Sequence, residues 1–163
     1  MPIKFARFGT GPERTPEEGM CLSSFLVVRK NDSVLVGKVG NPKYWEKKWF
    51  VPIAAPERWK NKWVLPAGHL LYGEHPDKTA LRILREMLQQ KSGKPKFLQT
   101  QSQSQPSGHW DICFIYATAV KTDIQKPAWF SEMKFQKISQ LKRLDWGRGH
   151  GDILNDLGPL LKK

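Results

Sequence analysis

Residues 65–90 read LPAGHLLYGEHPDKTALRILREMLQQ, and how this stretch is read decides the fold. Pro76 opens a helix, at a position where its missing amide hydrogen costs nothing, and the pattern runs to about Gln90 before KSGKP stops it. On a helical wheel Ala80, Leu81, Ile83, Leu84, Met87 and Leu88 form one apolar arc of roughly 160 degrees, with Arg82 and Glu86 just outside it. Upstream, Gly68 and Gly73 punctuate a loop that carries His69 and ends on Glu74, where a negative charge suits the start of a helix dipole and a carboxylate can orient the loop or a metal-bound water. A glycine loop, a glutamate and a helix with an arginine and a second glutamate suit phosphate handling. Metal-assisted phosphate chemistry, however, surrounds each hard cation with several oxygens, and this stretch supplies only the carboxylates of Glu74 and Glu86.

Outward from the helix the chain reads mostly as strands. GMCLSSFLVVR and SVLVGKV, on either side of Asn31 and Asp32, predict a tight hairpin. KKWFVPIAAP and KWVLP can each hold a short strand, and HWDICFIYATAV and PAWFSEMKFQKI predict two more. KFLQTQSQSQPSG reads as a strand that gives way to a flexible polar loop over residues 100–108. At the end, Ile153, Leu154, Leu157 and Leu161 have helical spacing, with Gly158 and Pro159 as breakers. The tally is an α/β (α+β) chain: a mixed sheet with helices packed on its faces.

Length and composition bound this reading. The 163 residues, 39% hydrophobic, suffice for one domain with a sizeable core and are too few for two ordinary ones, so a single domain over 1–163 is expected. The first twenty residues lack the apolar core of a secretory signal, and no apolar run approaches the roughly 18 residues of a membrane span, so a soluble cytoplasmic protein is expected. Cys21 and Cys113 sit in apolar strand-like runs without CxxC spacing and read as buried thiols. Twenty-seven Lys+Arg against 15 Asp+Glu give a net charge of +12, which favours anionic partners such as nucleotide phosphates or RNA, or serves solubility alone.

Within this frame residues 65–90 resemble the Nudix superfamily, whose box is G-x5-E-x7-R-E-U-x-E-E-x-G-U with U aliphatic. Gly68 stands at the first glycine, Glu74 follows after five residues, Arg82 after seven more, Leu84 fills the aliphatic position and Glu86 opens the acidic pair. WVLPAG before the box is similar to the family's approach to it, and Gly73 precedes the glutamate. The resemblance implies a Nudix-like α/β/α sandwich with a central mixed β-sheet, with a core over about residues 18–162. It also implies a ligand that is a nucleoside diphosphate linked to another group, or an RNA end, and Mg2+ or Mn2+ as cofactor of a pyrophosphohydrolase. Glu86, Arg82 and Glu74 become the catalytic candidates, and Gly68 and His69 the candidates for substrate contact.

The departures bear on mechanism. Ile83 replaces the glutamate after the arginine, Met87 the second glutamate of the acidic pair, and Gln89 the closing glycine. Hard divalent cations take oxygen ligands, which neither an aliphatic side chain nor a thioether supplies. The remaining metal candidates are Glu86 and Glu74, completed by an acid from elsewhere: Asp111 above all, or Asp123 or Glu132. Ile83 and Met87, one turn apart, extend the apolar stripe and so pack against another part of the fold, a nucleobase, or a protein or ribonucleoprotein partner. Arg82 and Glu86 either form a surface ion pair at i, i+4 or keep a phosphate- or metal-binding role. His75 reads as a solvated loop histidine.

A second constellation lies at residues 38–63, where seven basic residues are interleaved with Tyr44, Trp45, Trp49, Phe50, Trp59 and Trp63. Trp45 and Trp49 can stack bases while Lys47 and Lys48 contact phosphates, which suits a nucleotide or single-stranded RNA; otherwise the aromatics are core anchors. Two functions follow: a metal-dependent pyrophosphohydrolase with reduced or rewired catalysis, or a non-catalytic nucleotide- or RNA-binding module, for which a ribonucleoprotein is one setting.

Overall fold

The computed structural model describes residues 19–41, 60–104, 108–128, 130–147 and 149–158. Strands β1 (Met20–Lys30) and β2 (Ser33–Val39) form the expected hairpin, with Asn31 at φ 53° in the turn. Asparagine tolerates this left-handed region better than most residues. The two strands stay paired only next to the turn, at Arg29↔Val34 and Lys30↔Ser33. They then part and recruit different partners.

On one side β1 runs parallel to β6 (Trp110–Ala119) from Met20↔Trp110 to Arg29↔Ala119, and β5 (Lys96–Ser104) lies antiparallel beyond β6. The other edge of β1 takes β4 (Ala67–His69) antiparallel. On the other side β2 pairs with β3 (Trp63–Val64) and with β7 (Phe130–Lys137), both antiparallel. The result is a seven-stranded mixed sheet.

Strand alternation sends successive side chains to opposite faces, and both faces are covered. Leu26, Val28, Leu35 and Val39 belong to a core shared with Ala80, Ile83, Leu84, Met87 and Leu88. Phe25, Val27, Val34 and Val36 belong to a second core with Leu141, Ile153, Leu154 and Leu157. The first face carries helix α1 (Pro76–Arg82), which continues as a π-helical turn over Ile83–Met87. The second carries a 3-10 turn (Ile138–Arg143) and helix α2 (His150–Asp156). This is a helix/sheet/helix sandwich around a central mixed sheet. No helix among the described residues is long and apolar enough to cross a membrane.

Several expectations need adjustment. The polar loop expected from residue 100 is strand as far as Ser104, because its Gln/Ser alternation pairs along β6 at the sheet edge. A strand edge of that polarity also resists pairing with other chains. The glycine stretch 67–69 is strand as well, drawn into the ladder by the free edge of β1. Leu81, at the margin of the apolar arc, is exposed, and Cys21 is half-buried where Cys113 is buried. The KKWFVPIAAP segment and Leu161 lie outside the described residues.

Candidate functional site

The loop leading into α1 is built around Glu74. Its Oε1 accepts Arg82 Nε at 2.9 Å, and its Oε2 accepts Arg82 Nη2 at 2.8 Å, Thr79 Oγ1 at 2.8 Å and the Leu71 amide at 2.9 Å. Arg82 Nη2 also donates to the His69 carbonyl, at 2.8 Å. Arg82 thus ties together β4, the glycine loop and the helix. Gly73, at φ 75°, makes the reversal that returns Glu74 toward Leu71. The fork-shaped pair with Arg82, helped by the Leu71 amide and the Thr79 hydroxyl, overrides partial burial and holds the Glu74 carboxyl down at about 2.

This pairing bears on two readings that the sequence leaves open. Arg82 is joined to Glu74 and not to Glu86, because its guanidinium folds back toward the loop along the entrance of the helix. Glu74 spends its acceptor capacity on protein donors, which makes it a positioning carboxylate and leaves it poorly suited to hold a cation. His75 is structural as well, its Nδ1 accepting the Asp77 amide at 3.3 Å as the helix N-cap. Tyr116 donates to Asp77 from β6, fastening the first turn to the sheet, and burial followed by this carboxylate raises the Tyr116 phenol.

Past Arg82 the helix widens. The Leu88 amide reaches back to the Ile83 carbonyl at 3.0 Å, an i to i−5 bond, and the following Gln89 sits at φ 55°. Gln89 therefore occupies a left-handed helix end, the conformation for which the box has glycine. Arg85 donates to the carbonyls of Gln90 and Gly93, so it too is occupied at the helix end.

Ile83 and Met87 are both 0% exposed, within the first-face core. Gly68 packs on Ile83: a Cβ placed on it would lie 3.6 Å from Ile83 Cγ1. The expectation of a protein or ribonucleoprotein partner at the Ile83/Met87 face is thus overturned, since that surface is spent inside the fold. It is the first alternative, packing against another part of the chain, that the structure adopts. Glu86 is exposed at the outer side of the π turn.

The acids considered as replacements are elsewhere. Ser24, on β1, reaches Pro76 O with its hydroxyl at 3.0 Å, which identifies the even-numbered side chains of this part of β1 as the α1 face. Asp111 is in register with Cys21 and shares a side with Cys113 and Ile115, on the opposite face of the sheet. Asp123 pairs with Lys30 at 2.7 Å, and Glu132 with Lys38 at 2.9 Å. None of the three is brought to Glu86. Among the described residues the box therefore offers one uncommitted carboxylate and two apolar side chains where oxygen donors are required, and a hard divalent cation such as Mg2+ or Mn2+ does not fit it. Trp45, Trp49, Lys47 and Lys48 lie outside the described residues.

Sequence reasoning passed over His150. Its Nδ1 accepts the Leu65 amide at 2.9 Å and its ring packs edge-on against Phe25, so a buried histidine fixes the strand that leads into the box from the opposite face. A single helical histidine gives no sequence signal for such a contact.

Comparison of the folded chain with solved structures gives Nudix proteins. A MutT protein from Methanosarcina mazei Go1 matches with a TM-score of 0.65 at 13% identity, covering 90% of this chain and 99% of that one. The Nudix domain of Shewanella oneidensis NrtR, complexed with ADP ribose, matches with a TM-score of 0.62 at 16% identity, covering 94% of each. A bifunctional NMN adenylyltransferase/ADP ribose pyrophosphatase from Francisella tularensis matches with a TM-score of 0.57 at 16% identity, covering 86% of this chain and 41% of that one. No family model and no curated protein matches the sequence. At these identities the likeness is one of architecture, and the chain has the Nudix fold.

Proposed function

We propose that this Nudix-fold chain binds a nucleoside diphosphate-linked compound beside the glycine loop and α1 without carrying out metal-dependent hydrolysis of it. One observation carries the second half of the proposal: the side chains at the two substituted box positions, Ile83 and Met87, are fully buried in the apolar core. A site that had merely lost its ligands would leave polar or solvent-facing residues there, whereas here the space for the cation's ligands is filled by packing. The ligand class is supported by the fold shared with a domain complexed with ADP ribose and by the net charge of +12, which attracts polyanions over a Debye length. In this reading Arg82 and Glu74 hold the loop in shape. Trp45, Trp49, Lys47 and Lys48 are the proposed contacts to base and phosphates.

The test is calorimetric titration of the full chain with ADP ribose and related diphosphate compounds, with and without Mg2+ and Mn2+, alongside chromatography of the mixture for cleaved product. Saturable binding that does not depend on the cation, with the ligand recovered intact, is expected. Cation-dependent turnover that Glu86→Gln abolishes would restore the hydrolase reading, and failure of every nucleotide to bind would remove the ligand class.

A further inference from the structure

We propose that Cys21, His109 and Asp111 form a binding site for a transition-metal ion of borderline softness, zinc foremost, on the sheet face away from α1. The backbone assembles this cluster from positions far apart in sequence. Cys21 and Asp111 are direct partners in the parallel β1/β6 ladder. The Trp110 amide donates to the Gly19 carbonyl at 3.1 Å, which carries the pairing beyond the first registered pair. His109 precedes Asp111 by two residues, and in extended backbone that spacing returns a side chain to the same face. Three different donor types therefore meet at one end of the two central strands.

The spacing is compatible with three corners of a tetrahedral site. One ligand atom from each residue, a thiol sulfur, an imidazole nitrogen and a carboxylate oxygen, lies within 4.8 Å of the other two. His109 Nε2 and Asp111 Oδ1 are 3.3 Å apart. Metal–ligand bonds of about 2.0 to 2.3 Å in a tetrahedron separate the ligand atoms by roughly 3.3 to 3.8 Å. The His–Asp pair already satisfies this, and the Cys21 sulfur lies within 4.8 Å of both. The His109 and Asp111 side chains are 26% and 29% exposed, so an ion can enter and the fourth position stays open to water.

Donor chemistry selects the ion. A thiolate with an imidazole and a carboxylate suits Zn2+ or Co2+, whereas Mg2+ and Ca2+ prefer oxygen throughout. Bound there, the ion would clamp the start of β1 to the start of β6, and binding to the folded chain alone raises stability by mass action. The site is independent of the nucleotide reading, since Ser24 and the even side chains of this part of β1 face α1 while Cys21 faces away.

Cobalt reports on the proposal directly. The full chain, stripped with a chelator, is titrated with Co2+ and then with Zn2+, while visible and near-ultraviolet absorption and the melting temperature are followed. One equivalent of Co2+ is expected to give a thiolate-to-cobalt charge-transfer band that Zn2+ displaces, and Zn2+ should raise the melting temperature. Cys21→Ser should lose both signals, and His109→Gln and Asp111→Asn should each weaken binding by more than about tenfold. Cys113→Ser, which alters the other thiol, should keep both. Circular dichroism of each variant verifies that it is folded. Absence of saturable binding, or a band and a melting shift that survive Cys21→Ser, would overturn the site.

Discussion

If Glu74 is a positioning carboxylate, its removal must register as a pH-dependent loss of stability. In the folded chain Glu74 titrates at about 2 against its usual 4.5, with the hydrogen-bonded Arg82 guanidinium as the main cause. The folded state thus prefers the ionised form more than the unfolded chain does. The stabilisation is fully present above pH 4.5 and is lost as the pH falls toward 2. At about 1.36 kcal/mol for each tenfold change in proton affinity, the lowering corresponds to about 3 kcal/mol. The pair keeps some contact with solvent, 12% for Arg82 and 13% for Glu74, which trims the expected contribution to about 2 kcal/mol. Urea unfolding of the wild type and of Glu74→Gln, from pH 7 down to pH 2, isolates the effect, because the other carboxylates titrate equally in both proteins. A gap of about 2 kcal/mol at pH 7 that narrows between pH 5 and pH 2 is expected. A gap that stays constant across that range would refute the assignment, since the variant would then be losing packing or a neutral hydrogen bond rather than the ionised pair.

Three further outcomes follow from the same geometry. Met87→Glu should cost about 3 to 5 kcal/mol at pH 7 and less at pH 4, measured as the difference from wild type, because a carboxyl forced into the core is tolerated better once protonated; a loss below about 1 kcal/mol would mean the position reaches solvent. Gln89→Gly should stabilise the chain by about 0.5 to 1 kcal/mol in thermal unfolding, relief of the left-handed strain outweighing the glycine's added freedom when unfolded, and no gain would show the turn to be unstrained. His150→Phe keeps an aromatic ring against Phe25 but leaves the buried Leu65 amide without its acceptor, so a loss of about 1 to 3 kcal/mol in urea unfolding is expected, and an unchanged midpoint would mean that another acceptor takes over.

These outcomes divide along the line between what residues 65–90 disclose and what they conceal. The start of α1, the hairpin at Asn31 and the long strand at 110–119 depend on proline, turn residues and apolar runs acting over a few neighbours, so they are legible in the sequence. The fold is legible through a resemblance, since Gly68, Glu74, Arg82, Leu84 and Glu86 keep the spacing of the Nudix box. The choice of Arg82's partner is not legible. Glu74 and Glu86 both lie within its reach along the chain, and it is the Leu71 and Thr79 donors, converging on the same carboxylate from the loop and the helix, that decide for Glu74. A wheel of constant pitch puts Met87 and Leu88 on the apolar side, where they are buried, but it cannot register the π turn over Ile83–Met87 or the left-handed conformation of Gln89 that follows it. The Cys21–His109–Asp111 cluster is furthest from view: its members are separated by almost ninety residues, and only the parallel register of β1 on β6 makes them neighbours. The substituted glutamates thus lie at the meeting point of local and tertiary information. Sequence reveals that Ile83 and Met87 lack oxygen donors, and the buried packing around them explains why simply restoring the carboxylates would threaten the core before it rebuilt a metal site.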